Sequence, residues 1–368
     1  MITAVELFNF KCFRKTAVPF GGLTVLTGLN GSGKSTVIQA LLVLRQSYLA
    51  GYLESGSLLL SGELVDIGAG SDVLHEEAQE DAIGIKLIDG EGFDFLYAYD
   101  RNSNELKSNQ ACATSSVQYL PIFSSSFSYL RAERNGPRTV SPMSERNIRE
   151  KDLGRDGELV LHNIATYGTS LLDSKDRRLK DSADSCSLLD QVVAWMQDVS
   201  PGASIDIRMI READLVVAGY SFAREGDVRS RGYRPTNVGF GLSYSLPIIY
   251  SLLSAKPGAL VVVENPEAHL HPRGQTKLGQ LAVKAAAAGV QVVVETHSDH
   301  FLDGMRLEVR RSSVPPELCR INYFSRVGIS ASVESPELDA DGRLSHWPVG
   351  FFDQQDLNLA ELVAPKEF

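Results

Sequence analysis

Nine residues near the amino terminus carry the clearest chemistry. Gly28-Leu29-Asn30-Gly31-Ser32-Gly33-Lys34-Ser35-Thr36 fits the phosphate-binding pattern G-x-x-x-x-G-K-[ST]. The glycines let backbone N–H groups turn inward on an anion. Lys34 is placed to reach the β- and γ-phosphates of a nucleotide such as ATP, and the Ser35 hydroxyl to hold Mg²⁺. The residues expected to form this cradle are Asn30, Gly31, Ser32, Gly33, Lys34, Ser35 and Thr36. Such a pattern means little without a strand before it and a helix after it. Leu23-Thr24-Val25-Leu26 is an apolar run of strand type. Thr36 to Tyr48 has apolar residues on nearly every side, as a fully covered helix does. A helix N-terminus behind a glycine-rich turn favours bound anions.

Two further strands end in chemistry. Ala259-Leu260-Val261-Val262-Val263-Glu264 and Val290-Gln291-Val292-Val293-Val294-Glu295 are continuous apolar runs that stop at an acid. The second continues into Thr296-His297. Helical patterns surround them, at Leu242 to Ser254 and at Gln275 to Ala288, the latter ended by Gly289. Buried strands alternating with helices predict a parallel sheet covered on both faces. Ligands of such sheets sit at the carboxyl ends of the strands, where the phosphate loop, Glu264 and Glu295-Thr296-His297 all fall. Between about Ser57 and Arg234 the pattern changes. Ile83–Ile88 and Phe93–Tyr99 alternate as antiparallel strands, Arg101–Ser116 is polar and loop-like, and Leu188–Val199 is helical. Strands are expected at Ser204–Met209 and Asp214–Phe222, and a mobile charged segment at Arg224–Thr236.

The bulk properties are those of a globular protein. The chain has 368 residues and a formal net charge of −10, so its surface as a whole is no magnet for nucleic acid. Basic runs at 175–180, 229–231 and 306–311 are short, as solvated faces usually are. Cys12, Cys112, Cys186 and Cys319 are scattered without a C-x-x-C pair, which fits a reducing cytoplasm and not a structural zinc site. No signal-type or membrane-spanning apolar run is present, so no membrane role is expected.

Glu264-Asn265-Pro266-Glu267-Ala268-His269-Leu270-His271-Pro272, after its apolar strand, resembles the Walker B and D-loop region of ABC-class ATPases in their RecF, SMC and OLD-like branch. Asn9-Phe10-Lys11-Cys12-Phe13 is similar to that branch's entry strand, and Glu295-Thr296-His297-Ser298 to its switch-histidine motif. Tyr129 to Pro137, Asn237 to Ser243 and Asp341 to Asp353 resemble one subgroup with a short C-terminal domain of unknown function. The resemblance implies an α/β ABC-type head: a mixed, mostly parallel sheet with flanking helices, an inserted antiparallel β plus α lobe, and no long coiled coil. The core is then residues 1–60 and 235–310, the lobe 61–234, and a C-terminal subdomain 311–368.

The resemblance also implies roles. Ser35 and Glu264 are the expected metal ligands. Glu264, Asn265, Glu267 and His297 are the expected catalytic group, with His297 sensing the γ-phosphate. Asn237, Gly239, Gly241 and Ser243 are the expected signature loop, offered to the nucleotide of a second copy. Two departures stand out. Glu264 replaces the usual aspartate. Asn265 replaces the glutamate that polarises attacking water, and an amide is no base near neutral pH. Hydrolysis is therefore expected to be slow or conditional. His269 and His271 lack a third ligand nearby, so a metal site there is not expected. Lys11 and Arg14 are either nucleotide contacts or surface residues. Arg131, Glu133 and Arg134 form either a buried ion-pair corner or a partner contact.

By resemblance the chain is an ATP-driven switch of two copies joined head to tail. It serves a bacterial antiphage-defence or genome-maintenance system with a separate effector such as a nuclease or toxin. A RecF-like repair ATPase that engages DNA directly, and a non-hydrolysing ATP-dependent scaffold, remain alternatives. A transporter subunit is disfavoured, because no Leu-Ser-Gly-Gly-Gln signature is present.

Overall fold

The computed structural model describes residues 1–108, 117–224, 229–312 and 314–364. The fold begins with a hairpin, β1 (Ala4–Phe10) and β2 (Phe13–Pro19), followed by β3 (Leu23–Gly28) and α1 (Lys34–Leu49). The middle of the chain holds β4 (Ser57–Leu59), β5 (Ala82–Asp89), β6 (Glu91–Ala98), β7 (Glu105–Lys107) and β8 (Phe127–Leu130). Then come β9 (Ser141–Pro142), α2 (Glu145–Glu150), α3 (Val160–Tyr167), α4 (Leu188–Val199), β10 (Ala203–Ile210) and β11 (Leu215–Phe222). The last part comprises α5 (Phe240–Ser254), β12 (Leu260–Glu264), α6 (Pro272–Ala287), β13 (Gln291–Glu295) and α7 (Asp299–Ser312). It closes with β14 (Cys319–Val327), β15 (Ser330–Glu334) and α8 (Gln354–Val363).

A six-stranded sheet in the order β15-β14-β3-β13-β12-β8 organises the molecule. All its pairs are parallel except β14–β15. Successive residues of a strand face opposite sides, and here they enter two separate cores. Val261, Val263, Val292 and Val294 pack with α3 to α7. Leu260, Val262 and Val293 pack with α1 and with the antiparallel sheet β2-β1-β5-β6. Helix α1 therefore has apolar neighbours all round, which explains why its sequence has no polar face.

The central sheet is not confined to residues 1–60 and 235–310. It takes β8 from inside the 61–234 segment and β14 and β15 from inside the 311–368 segment. Strands β1 and β2 leave that sheet and pair with β5 and β6 of the intervening segment. Residues 109–116 and 225–228, within the expected loop and mobile segment, lie outside the described residues. The longest helices among the described residues, α1 and α6, have 16 residues each, so no coiled-coil arm projects. No described helix is long and apolar enough to cross a membrane.

Candidate nucleotide site

The site is built at the carboxyl ends of β3, β13 and β12. Gly33 precedes α1 with φ 107°, a left-handed conformation that L side chains avoid. A Cβ there would also sit 2.8 Å from Cys12 Sγ and the Phe13 ring, so the β1–β2 hairpin closes tightly on the loop. The first turn of α1 has neither a side-chain cap nor an acidic residue. The Thr36 N–H donates to the Gly33 carbonyl (3.1 Å); the positive end of the helix dipole is left for an anion.

A cavity of about 510 Å³ opens on this turn. Asn30, Gly31, Gly33, Lys34, Ser35 and Thr36 line it, with Glu295 and His297 on the β13 side. Lys34 Nζ donates to the carbonyls of Gly28 (3.0 Å) and Leu29 (2.7 Å). Burial lowers its pKa, while Glu295 and Glu267 oppose that shift. The Ser35 hydroxyl donates to Glu295 Oε1 at 2.9 Å. Burial, then the charge of Glu264, push the Glu295 carboxyl up to about 7, against the pull of Ser35 and Lys34. Hard oxygen donors of this kind suit Mg²⁺, and Glu295 Oε2 is buried with no hydrogen-bond partner. The donor set fits the cation.

The other expected catalytic residues stand behind this wall and do not line the cavity. Glu264 accepts from the Tyr129 hydroxyl (2.9 Å) and the Ala132 N–H (3.2 Å). It does not meet Ser35; Glu295, absent from the expected list, does. Glu267 accepts from Thr296 Oγ1 and from the His297 N–H, both at 2.7 Å, and so fixes the backbone just after β13. Asn265 adopts φ 44°, donates its N–H to the Glu295 carbonyl (2.8 Å), and accepts from Arg134 through its own carbonyl (2.7 Å). Burial first, then Lys34, lower the His297 pKa, with Glu267 opposing.

Within the chain, the Arg131–Arg134 corner makes both backbone and ion-pair contacts. Arg134 is 3% exposed and donates to the carbonyls of Arg131, Glu264 and Asn265. Arg131 pairs with Asp156 at 2.5 Å. Lys11 lines the cavity and donates to Gln39 Oε1 (2.8 Å), whereas Arg14 is exposed and outside it. Arg326 of β14 also lines the cavity and donates weakly to the Gly31 carbonyl (3.4 Å). No sequence signal marked Arg326, because β14 joins the site only through its pairing with β3.

The expected signature residues are not in this cavity. Asn237 and Gly239 are exposed just before α5, Gly241 lies in its first turn, and Ser243 follows. A Cβ on Gly241 would meet the His269 carbonyl at 2.9 Å. His269 stacks with Phe240 and Tyr244 beside this turn, and His271 caps α6 by accepting from the Arg273 N–H (3.2 Å). Among the described residues no cluster of His, Cys, Asp and Glu suits a separate metal.

Three family models match the chain. One, described as "AAA domain, putative AbiEii toxin, Type IV TA system", covers residues 119–303, half of the chain. An AAA ATPase domain covers residues 1–111, and DUF3696, a protein family of unknown function, covers residues 314–362. No curated protein matches. Among solved structures, the chain is similar to an Smc head bound to the C-winged helix domain of ScpA. The identity is 15%, over 92% of this chain and 98% of that one, with a TM-score of 0.56. It is also similar to an Smc head with an extended coiled coil bound to the C-terminal domain of ScpA, from Pyrococcus furiosus. There the identity is 13%, over 99% of both chains, with a TM-score of 0.51. At these identities the likeness is one of fold: an Smc-head-like α/β arrangement with a mixed, mostly parallel sheet.

Proposed function

The chain belongs to this AAA-domain family, and from that premise we propose that it is an ABC-class P-loop ATPase of the RecF, SMC and OLD type that works as a nucleotide-driven dimeric switch. One observation carries the reading. The cavity has its phosphate loop, Ser35–Glu295 pair and His297 in place, while the glycine-containing turn before α5 is exposed and outside that cavity. Such a turn is offered outward, to the nucleotide of a second copy. ATP is held by the N–H groups of the loop, with Lys34 leaving the Gly28 and Leu29 carbonyls for the phosphates. Mg²⁺, when bound, supplies charge neutralisation at the β- and γ-phosphates. Ser35 orients that end of the nucleotide, and His297, held by Glu267, faces the γ-phosphate from the adjacent strand. Binding shifts the population towards the closed pair, and hydrolysis or release reopens it.

Hydrolysis is slow in this reading, because an amide, which cannot take a proton near neutral pH, stands at position 265 where the resembled branch carries its water-polarising glutamate. The setting is a bacterial defence or genome-maintenance system in the cytoplasm, and a separate effector protein reads the closed state. The toxin–antitoxin wording of the matched family supports the defence setting, and the ScpA domains seated on Smc heads support a separate partner. The test is ATP turnover with and without DNA. Low turnover that vanishes in Lys34→Ala and ignores DNA is expected. DNA-stimulated turnover with steep salt dependence favours the RecF-like alternative instead.

A further inference from the structure

Three carboxylates gather behind the phosphate loop, and their oxygens are not equally engaged. Both oxygens of Glu264 are taken, by Tyr129 and by the Ala132 N–H. Both oxygens of Glu267 are taken, by Thr296 and by the His297 N–H. Glu295 spends one oxygen on Ser35 and leaves the other buried and unpartnered, although the residue is only 6% exposed. An unmatched buried carboxylate oxygen is unfavourable unless a cation or donor reaches it. Of the three, Glu295 alone lines the cavity, beside Lys34, Ser35 and His297.

The strand order explains this placement. β13 lies between β3 and β12, with Leu26, Glu295 and Glu264 in one register across the sheet. Glu295 is thus one strand from the phosphate-loop strand and Glu264 is two, at roughly 4.8 Å per strand. Glu264 is instead directed to β8 on its other side, where Arg134 joins the same corner through the Glu264 carbonyl.

We propose that Glu295 is the carboxylate through which this chain meets the divalent cation of a bound magnesium–nucleotide, and that Glu264 is a positioning residue that holds β8 to β12. The proposal rests on the reading of the cavity as a nucleotide site. It moves the metal-facing role from the acid that ends β12 to the acid that ends β13. Ser35 and Glu295 then act as one oxygen pair, formed before the cation arrives.

The test is the affinity for a fluorescent ATP analogue, measured in excess Mg²⁺ and again in EDTA, for wild type, Glu295→Gln, Glu295→Asp and Glu264→Gln. The difference between the two conditions reads the metal contact, and the affinity in EDTA reads the integrity of the loop. Glu295→Gln is expected to keep the EDTA affinity and lose about tenfold or more of the gain on adding Mg²⁺. Glu295→Asp is expected to recover part of that gain, and Glu264→Gln to keep it in full. A full Mg²⁺ gain in Glu295→Gln, or its loss in Glu264→Gln, overturns the assignment. Absence of analogue binding in the wild type overturns the nucleotide reading itself, and the proposal with it.

Discussion

Arg134 illustrates how groups that touch no ligand build this site. Its buried guanidinium ties the carbonyls of Glu264 and Asn265 to that of Arg131. Burial lowers its pKa to about 10, so it stays charged at neutral pH. Arg134→Met leaves buried carbonyls without donors. The expected cost is about 2–4 kcal/mol, read as a lower urea midpoint. Arg134→Lys is expected to recover little, because an ammonium cannot reproduce a planar fork. Glu295 makes stability depend on pH. Its folded pKa of about 7 lies above its ordinary 4.5, so the folded chain holds the extra proton between those values. Stability from this group is present below about pH 4.5 and lost as pH rises through 7. Melting curves of the nucleotide-free protein should therefore fall over that window, and Glu295→Gln should flatten the fall. Asn265→Glu restores an acid to the position that resembles the usual water-polarising site, and turnover should rise by about tenfold or more. Unchanged turnover in that variant contradicts the slow-hydrolysis reading.

Elements decide what single residues could not reveal. The phosphate loop was legible because its pattern, its preceding strand and its following helix agree. Helix α4 was legible from end to end, at Leu188–Val199, because its apolar spacing is helical throughout. Both acid-ended strands were legible too, but their order in the sheet was not. Nothing local says that β13 lies between β3 and β12, the placement on which the proposed role of Glu295 rests. Strand β8 has only four residues and one fully buried side chain, Leu130; its pairing with β12, not its own pattern, makes it a strand. Helix contact is a further point that spacing alone concealed. α6 and α7 approach so closely that a Cβ on Gly279 would lie 2.2 Å from the Phe301 carbonyl, and one on Gly304 would lie 2.1 Å from the Thr276 carbonyl. Those are backbone atoms and cannot rotate away. Gly279→Ala should therefore destabilise by about 1–3 kcal/mol or more, measured as a lower melting temperature, despite alanine's better helix propensity.

At the scale of the whole molecule, the two halves of the proposed composite site lie in different places on one chain. The phosphate cavity has its own wall of Glu295 and His297. The turn before α5 exposes Asn237 and Gly239, with Phe240 52% exposed beside them. The acidic balance of −10 disfavours broad nucleic-acid binding, and the central sheet draws strands from early, middle and late parts of the sequence. The proposed switch requires nucleotide-driven pairing. Sedimentation velocity of the wild type and Lys34→Ala, each with and without Mg²⁺–ATP, measures it directly. A nucleotide-driven switch requires a wild type that shifts from one copy to two on adding Mg²⁺–ATP and returns when EDTA is added, and a Lys34→Ala variant that never shifts. A wild type whose mass is the same with saturating Mg²⁺–ATP as without it, or a Lys34→Ala variant that pairs as readily, contradicts it.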